Sequence, residues 1–346
     1  MNRPVLTAAA ALSSLIIMAG AVEFGLSVGT APPAPGSGPV SAATRLAATT
    51  STASPSSTAS TPAAAPSPAD TLLDPHGTYV GLATPGSVSA WTTATGTRPD
   101  MLEEFIGWGQ PLPAVAANWS SGELTLVSLQ SNTTTLASIA SGQDDLYLDR
   151  IAVQARTAAI PIALDFDHEF NGNWYPWGAD GSQHASPAEF VAAWRHMHDV
   201  FEAAGARNVI WVWSPNVVNP LPKVALAPYW PGTAYVTWAG MVGYWTGYEG
   251  QGTYTTLYGP TERQIEALTD DPILITETGA EQGSEKAAWI TALLNGVRTD
   301  SHVIGFVYFD YGAAQGKRED WTIEDDEAAV TAWRTAARSL HLPSVG

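Results

Sequence analysis

Apolar residues along this chain gather into short, nearly unbroken runs. Eight of them read as strands: Thr78–Ala83, Leu112–Asn118, Leu124–Leu129, Ile160–Phe166, Val209–Trp213, Met241–Tyr244, Ile273–Thr276 and Gly305–Phe309. Runs of this kind, apolar on both parities, belong to strands buried on both faces, as in parallel sheets. Between them the period becomes helical. Ser186-Pro187-Ala188-Glu189 supplies an N-cap, a proline at N1 and a glutamate at N3. Phe190, Val191, Trp194, Met197 and Phe201 then share one face, and Gly205 is placed to end the helix. Other helical patterns cover about Asp144 to Ala158, Ser284 to Val297 and Val330 to Leu340, the last preceded by Glu324-Asp325-Asp326-Glu327 as a charged N-terminus. Strands alternating with helices imply an α/β fold, and eight strands suggest a single (β/α)8 TIM barrel. Leu112–Asn118 and Leu124–Leu129 stand too close for a crossover helix, so one of them is expected to be a loop or hairpin.

The first seventy residues follow neither period. Arg3 precedes an uncharged run from Pro4 to Val22 with Leu12, Leu15, Ile16, Ile17 and Met18 at its centre and Ala19-Gly20-Ala21 after it. This is the layout of a secretory signal. The run is long for a signal core, so an uncleaved N-terminal membrane anchor is the alternative. Residues 1–29 are therefore assigned to a signal peptide or anchor. Residues 30–69 are almost wholly Ala, Ser, Thr, Pro and Gly and read as a disordered linker. Residues 70–346 read as one catalytic domain, close to the ~250 residues typical of a TIM barrel. The expected location is extracellular, either free or tethered to the cell surface.

Composition narrows the function. Fifteen Lys+Arg stand against 33 Asp+Glu, a formal net charge of −18. Phosphate backbones need a basic face, so no nucleic-acid partner is expected. With no cysteine, disulfides, thiolate metal sites and a cysteine nucleophile are excluded. Fourteen tryptophans ask for a large core, a binding cleft, or both. No interface signal appears, so a monomer is the default.

Candidate chemistry lies where strands end, the active face of a barrel. Directly after one strand comes Asp165-Phe166-Asp167-His168-Glu169-Phe170-Asn171-Gly172-Asn173-Trp174-Tyr175-Pro176-Trp177-Gly178. Another apolar strand ends in Glu277. Two carboxylates from separate strands facing one crevice are the equipment of a glycosidase. The Ile210-Trp211-Val212-Trp213-Ser214-Pro215-Asn216 exit is expected to point one tryptophan to the barrel axis and one away. Flat aromatic faces suit pyranose rings, and amides and carboxylates suit their hydroxyls. His168-Glu169 lacks the second histidine of a zinc-binding HExxH, since Gly172 stands there, and no metal is expected.

These residues carry a resemblance to glycoside hydrolase family 26, best known for β-mannanases. His168-Glu169-Phe170-Asn171-Gly172-x-Trp174-x-Pro176-Trp177 resembles the family's acid/base motif, with Phe170 for the usual Met. Ile275-Thr276-Glu277-Thr278-Gly279 is similar to its nucleophile strand. Val212-Trp213-Ser214-Pro215-Asn216, Gly243-Tyr244 and Asp320-Trp321 match supporting positions. Asp165 stands where an arginine is common, and Ala116-Ala117-Asn118-Trp119 matches a cleft-shaping strand only loosely. The resemblance implies a secreted, retaining endo-β-glycanase, foremost a β-1,4-mannanase, acting on β-mannan or a related β-glycan without a cofactor. Glu277 would be the nucleophile and Glu169 the acid/base. His168, Asn171, Trp174, Trp177, Trp213, Asn216, Tyr244 and Trp321 would bind the substrate, with Trp174, Trp213 and Trp321 as sugar platforms. A β-1,3-1,4-glucanase or β-xylanase on the same scaffold, or a weakly catalytic wall-polysaccharide-binding protein, are the alternatives.

Overall fold

A computed structural model describes residues 77–218, 224–247, 252–315 and 319–340. The signal or anchor at 1–29 and the linker at 30–69 lie outside the described residues. Eight parallel strands close into a barrel in chain order. They are β1 (Tyr79–Ala83), β2 (Met101–Gly107), β3 (Leu124–Gln130), β4 (Ile162–Phe166), β5 (Val209–Trp213), β6 (Trp238–Val242), β7 (Ile273–Thr278) and β8 (Val303–Phe309). The helices are α1 (Val88–Thr95), α2 (Val115–Ser120), α3 (Leu136–Ala140), α4 (Asp145–Ala158), α5 (Pro187–Ala204), α6 (Tyr254–Glu266), α7 (Lys286–Thr299) and α8 (Glu327–Ala337).

The crowded junction resolves against Leu112–Asn118. That segment is loop and the start of α2, and the second strand is Met101–Gly107 instead. Glu103 and Glu104 break its apolar run, which hid it from the pattern. Glu103 nevertheless points inward, buried, because Ser128 on β3 donates to its Oε1 at 2.6 Å. The sixth strand runs Trp238–Val242 rather than Met241–Tyr244. α6 escaped the pattern because Pro260 lies inside it.

The expected capping box of α5 is present. Glu189 N donates to Ser186 Oγ at 3.2 Å, Ser186 N to Glu189 Oε2 at 2.8 Å, and Gly205 closes the helix at φ 78°. Such caps contribute about 1 kcal/mol each. The helix buries Phe190, Ala193, Trp194, Met197 and Phe201. Each large apolar side chain among them contributes roughly 1.5–3 kcal/mol, so packing rather than propensity fixes the helix on the barrel. Inside the barrel Tyr79, Met101, Leu124, Leu126, Ala163, Ile210, Val212, Trp238, Leu274 and Val307 form the floor. Trp211 and Trp213 both turn outward. They are two residues apart, so strand alternation puts them on one face and not on opposite ones. Trp211 meets Trp194, His198 and Phe201 of α5, and Trp213 meets Phe170 and Trp230.

Candidate active site

At the end of β4 the chain turns through Asp167, His168 and Glu169. Asp167 and Glu169 have φ of 51° and 54°. For residues other than glycine this left-handed region costs on the order of 1–3 kcal/mol, and such strain gathers at functional sites. The surroundings impose it. Asp167 accepts from Ser131 N at 2.8 Å and Ser131 Oγ at 2.6 Å, tying the exit of β4 to that of β3. Glu169 N donates to Ser214 O at 2.8 Å, tying it to β5. Gly172 then lets an indole lie against the turn, since a Cβ there would sit 2.5 Å from the Trp174 ring.

That indole donates Nε1–H to Glu169 Oε2 at 2.7 Å, and the Asn216 amide donates to Oε1. Asn216 is clamped in turn by Asn171, whose Nδ2 donates to Asn216 O and whose Oδ1 accepts from Asn216 N, both at 2.8 Å. The Glu169 carboxylate is thus nearly buried, at 3% exposure, and held at both oxygens.

Glu277 reaches the same crevice from β7 through a break in alternation. Thr276 points inward, since its hydroxyl pairs with that of Ser214. Thr278 points outward to Tyr258 OH at 2.7 Å. Glu277 should therefore face outward if Thr276 faces in. The β6–β7 register shifts between Met241 and Val242, and the β7–β8 register between Ile275 and Thr278. Such an irregularity re-aims a side chain, and both Thr276 and Glu277 turn inward. There Tyr244 OH donates to Glu277 Oε2 at 2.5 Å, and His168 Nε2 lies 3.7 Å from Oε1.

His168 is fully buried, 3.1 Å from Tyr175 OH through Nε2. Burial pushes its imidazole down to about 3, so it is neutral and its contact with Glu277 is polar, not ionic. Trp177 donates Nε1–H to His168 O at 2.9 Å and stacks on Tyr175 at 4.5 Å and 7°. Two further carboxyls, Glu103 and Asp165, stand in the barrel below. Burial first, then the charge of Glu277, pushes both well above the usual carboxylate range. Burial and the facing Glu277 carboxylate also push the Tyr244 phenol up, so it remains a donor.

The ten expected residues divide into two groups. Glu169, Glu277, His168, Trp174, Asn216 and Tyr244 converge on the crevice, and Trp174, Asn216 and Tyr244 are half-buried. Asn171, Trp177, Trp213 and Trp321 are buried at 0–2% and offer no free face. Trp213 gives its indole N–H to Tyr229 O at 3.1 Å beneath the β5 exit, and Trp321 packs on Tyr244 at 4.8 Å. They frame the site behind the residues that converge on the crevice. The sequence reading missed Glu103, Phe105, Tyr175 and Tyr311. Phe105 is edge-on to His168 at 5.8 Å. The adjacent acids of Met101-Leu102-Glu103-Glu104-Phe105, set in an apolar run, were the available signal.

Residues 124–292 match the sequence profile of Glycosyl hydrolase family 26. Endoglucanase H of Acetivibrio thermocellus is 30% identical over 272 residues, 75% of this chain and 30% of that protein. Mannan endo-1,4-beta-mannosidase A and B of Caldalkalibacillus mannanilyticus is 32% identical over 105 residues, 29% of this chain and 18% of that protein. The chain thus spans under a third of the length of these curated relatives. The GH26 beta-mannanase from Bacteroides ovatus has the same fold, with a TM-score of 0.60 and 19% identity over 78% of this chain and 91% of that one.

Proposed function

The chain belongs to glycosyl hydrolase family 26, and on that premise we propose that it is a secreted, retaining endo-β-glycanase, foremost a β-1,4-mannanase. One observation carries the reading. Two carboxyls from β4 and β7 enter one crevice, and each is held by its own donors, Trp174 and Asn216 on Glu169 and Tyr244 on Glu277. The two environments differ, as two different roles require.

In this mechanism Glu277 attacks the anomeric carbon and forms a glycosyl-enzyme while Glu169 gives its proton to the departing oxygen. Tyr244 keeps the attacking carboxylate charged and aimed. Glu169 then takes a proton from water, whose oxygen displaces Glu277 and restores the starting anomer. Neutral His168 orients Glu277 without neutralising it. Trp174 is the half-exposed aromatic platform beside the acid/base, placed for the leaving-group side.

A second reading, a β-1,3-1,4-glucanase, is favoured by two observations. The relative aligned over three-quarters of the chain is named an endoglucanase, and Asp165 stands where the family often has arginine, a departure at the substrate pocket. The test is reducing-sugar release from galactomannan, glucomannan, mixed-linkage β-glucan and β-1,3-xylan, with proton NMR of the first product anomer. Retained anomer on one of these polymers, lost in Glu277→Ala, supports the reading and names the substrate. An inverted first product refutes the double displacement. Binding without release on every polymer leaves the wall-binding alternative.

A further inference from the structure

We propose that the gap between the carboxyl ends of β1 and β2 is a sugar-binding slot that takes one neutral pyranose unit of the bound glycan. The inference rests on the glycanase reading above and deepens it. β2 pairs with β3 through seven residues, Met101↔Leu124 to Gly107↔Gln130, and β1 pairs with β8 through five. β1 and β2 share only two pairs, Gly81↔Met101 and Leu82↔Leu102. Beyond these the barrel wall parts toward the active face.

A cavity of about 320 Å³ fills the parting, lined among others by Thr84, Gly86, Glu103, Glu104, Phe105 and Tyr311. That is at the lower end of the ~300–1,000 Å³ usual for small-molecule sites. The lining has both parts of sugar recognition, oxygens for hydroxyls and rings for C–H faces. Glu103 is 5% exposed; Ser128 satisfies its Oε1, and its Oε2 has no hydrogen-bond partner. A buried oxygen without a partner is uncommon and asks for one. A sugar hydroxyl in the slot meets that need.

The slot is continuous with the nucleophile's surroundings. Tyr311 stacks on Phe309 at 4.4 Å and 20°, and Phe309 is edge-on to Tyr244 at 5.7 Å. Phe105 is edge-on to His168 at 5.8 Å. Tyr244 and His168 both stand against the Glu277 carboxylate. Trp174 and Asn216, on Glu169, follow β4 and β5, across the barrel mouth. The slot therefore belongs to the glycone side of the scissile bond. Among the described residues no basic side chain lines the slot to pair with a uronate or sulfate, and Glu104 stands at its wall, which is why the unit is neutral. It can come from the backbone or from a branch, and the chemistry is the same.

The experiment compares the full chain with Tyr311→Ala and Gly86→Trp. The second plugs the slot from its exposed rim, where an added Cβ meets only the Thr84 hydroxyl at 3.2 Å. Substrates are linear β-1,4-manno-oligosaccharides and mixed-linkage gluco-oligosaccharides of three to six units, plus galactomannan. Both variants should lose the gain in kcat/KM that longer chains bring, about tenfold at the longest, mostly in KM, and Gly86→Trp should leave the shortest cleaved substrate within twofold. Loss on the linear ladder assigns a backbone unit; loss confined to galactomannan assigns a branch. Unchanged length dependence and unchanged galactomannan cleavage in Gly86→Trp overturn the slot and leave the glycanase reading standing. Failure of the wild-type chain to cleave any of these substrates overturns the reading and the slot with it.

Discussion

Tyr244→Phe removes one oxygen from the site and leaves its packing in place. The ring keeps its contacts with Trp321 at 4.8 Å and Phe309 at 5.7 Å. What disappears is the 2.5 Å hydrogen bond to Glu277 Oε2. Hydrogen bonds to a charged partner contribute about 1.5–3 kcal/mol. With ~1.36 kcal/mol per decade of rate, kcat/KM should fall roughly 10- to 150-fold. The sign of the pH effect follows from the donor. A hydroxyl favours the ionised carboxylate, so without it Glu277 stays protonated to higher pH. The acid limb of kcat/KM should move upward by about one to two pH units, at ~1.36 kcal/mol per unit. The assay is kcat/KM against pH on a soluble β-glycan oligosaccharide, with thermal unfolding to show that the fold is retained. A fall below threefold with an unmoved acid limb would show that Tyr244 does not tune the nucleophile.

Glu169→Ala and Glu277→Ala should each lower kcat by about 10²–10⁴ or more with little change in Tm; substantial turnover in Glu277→Ala contradicts its assignment. Trp213→Ala should act on stability, costing about 3–5 kcal/mol, because the ring is buried beneath the site; a raised KM at unchanged Tm would restore the sugar-platform role. Gly172→Ala should displace Trp174, whose ring lies 2.5 Å from the new methyl, and so lower kcat more than Tm, as read by paired kinetics and calorimetry. Burial raises Asp100 and Asp167 to about 8 and Asp310 to about 7. Folded carboxyls above their unfolded values bind protons that the unfolded chain has released, so their stabilisation is complete below about pH 4 and is lost as pH rises through about 7 to 8. Tm should fall from pH 5 to pH 9, and Asp100→Asn should flatten that fall.

Local chemistry was legible along the chain wherever a short stretch decides its own structure. Continuous apolar runs marked most of the buried strands, and Ser186 to Glu189 marked the start of α5, because capping and two-sided burial leave signatures within a few residues. Both glutamates were legible for the same reason, as charges standing at the ends of apolar strands. The resemblance to a barrel family rested on those motifs. What stayed hidden depends on residues far apart in sequence. The strand Met101–Gly107 reads as polar until Ser128, 25 residues on, makes burial of Glu103 tolerable. Simple alternation would turn Glu277 outward, and only the register shifts against β6 and β8 bring it in beside Tyr244. Whether Trp174 or Trp213 presents a face to the crevice depends on what each packs against: Gly172 leaves room for one, while Phe170, Tyr229 and Trp230 enclose the other. The chain's own order thus determined which elements form and which groups can do chemistry. Barrel closure decided which of them meet, because register and packing are properties of neighbouring strands that no single stretch contains.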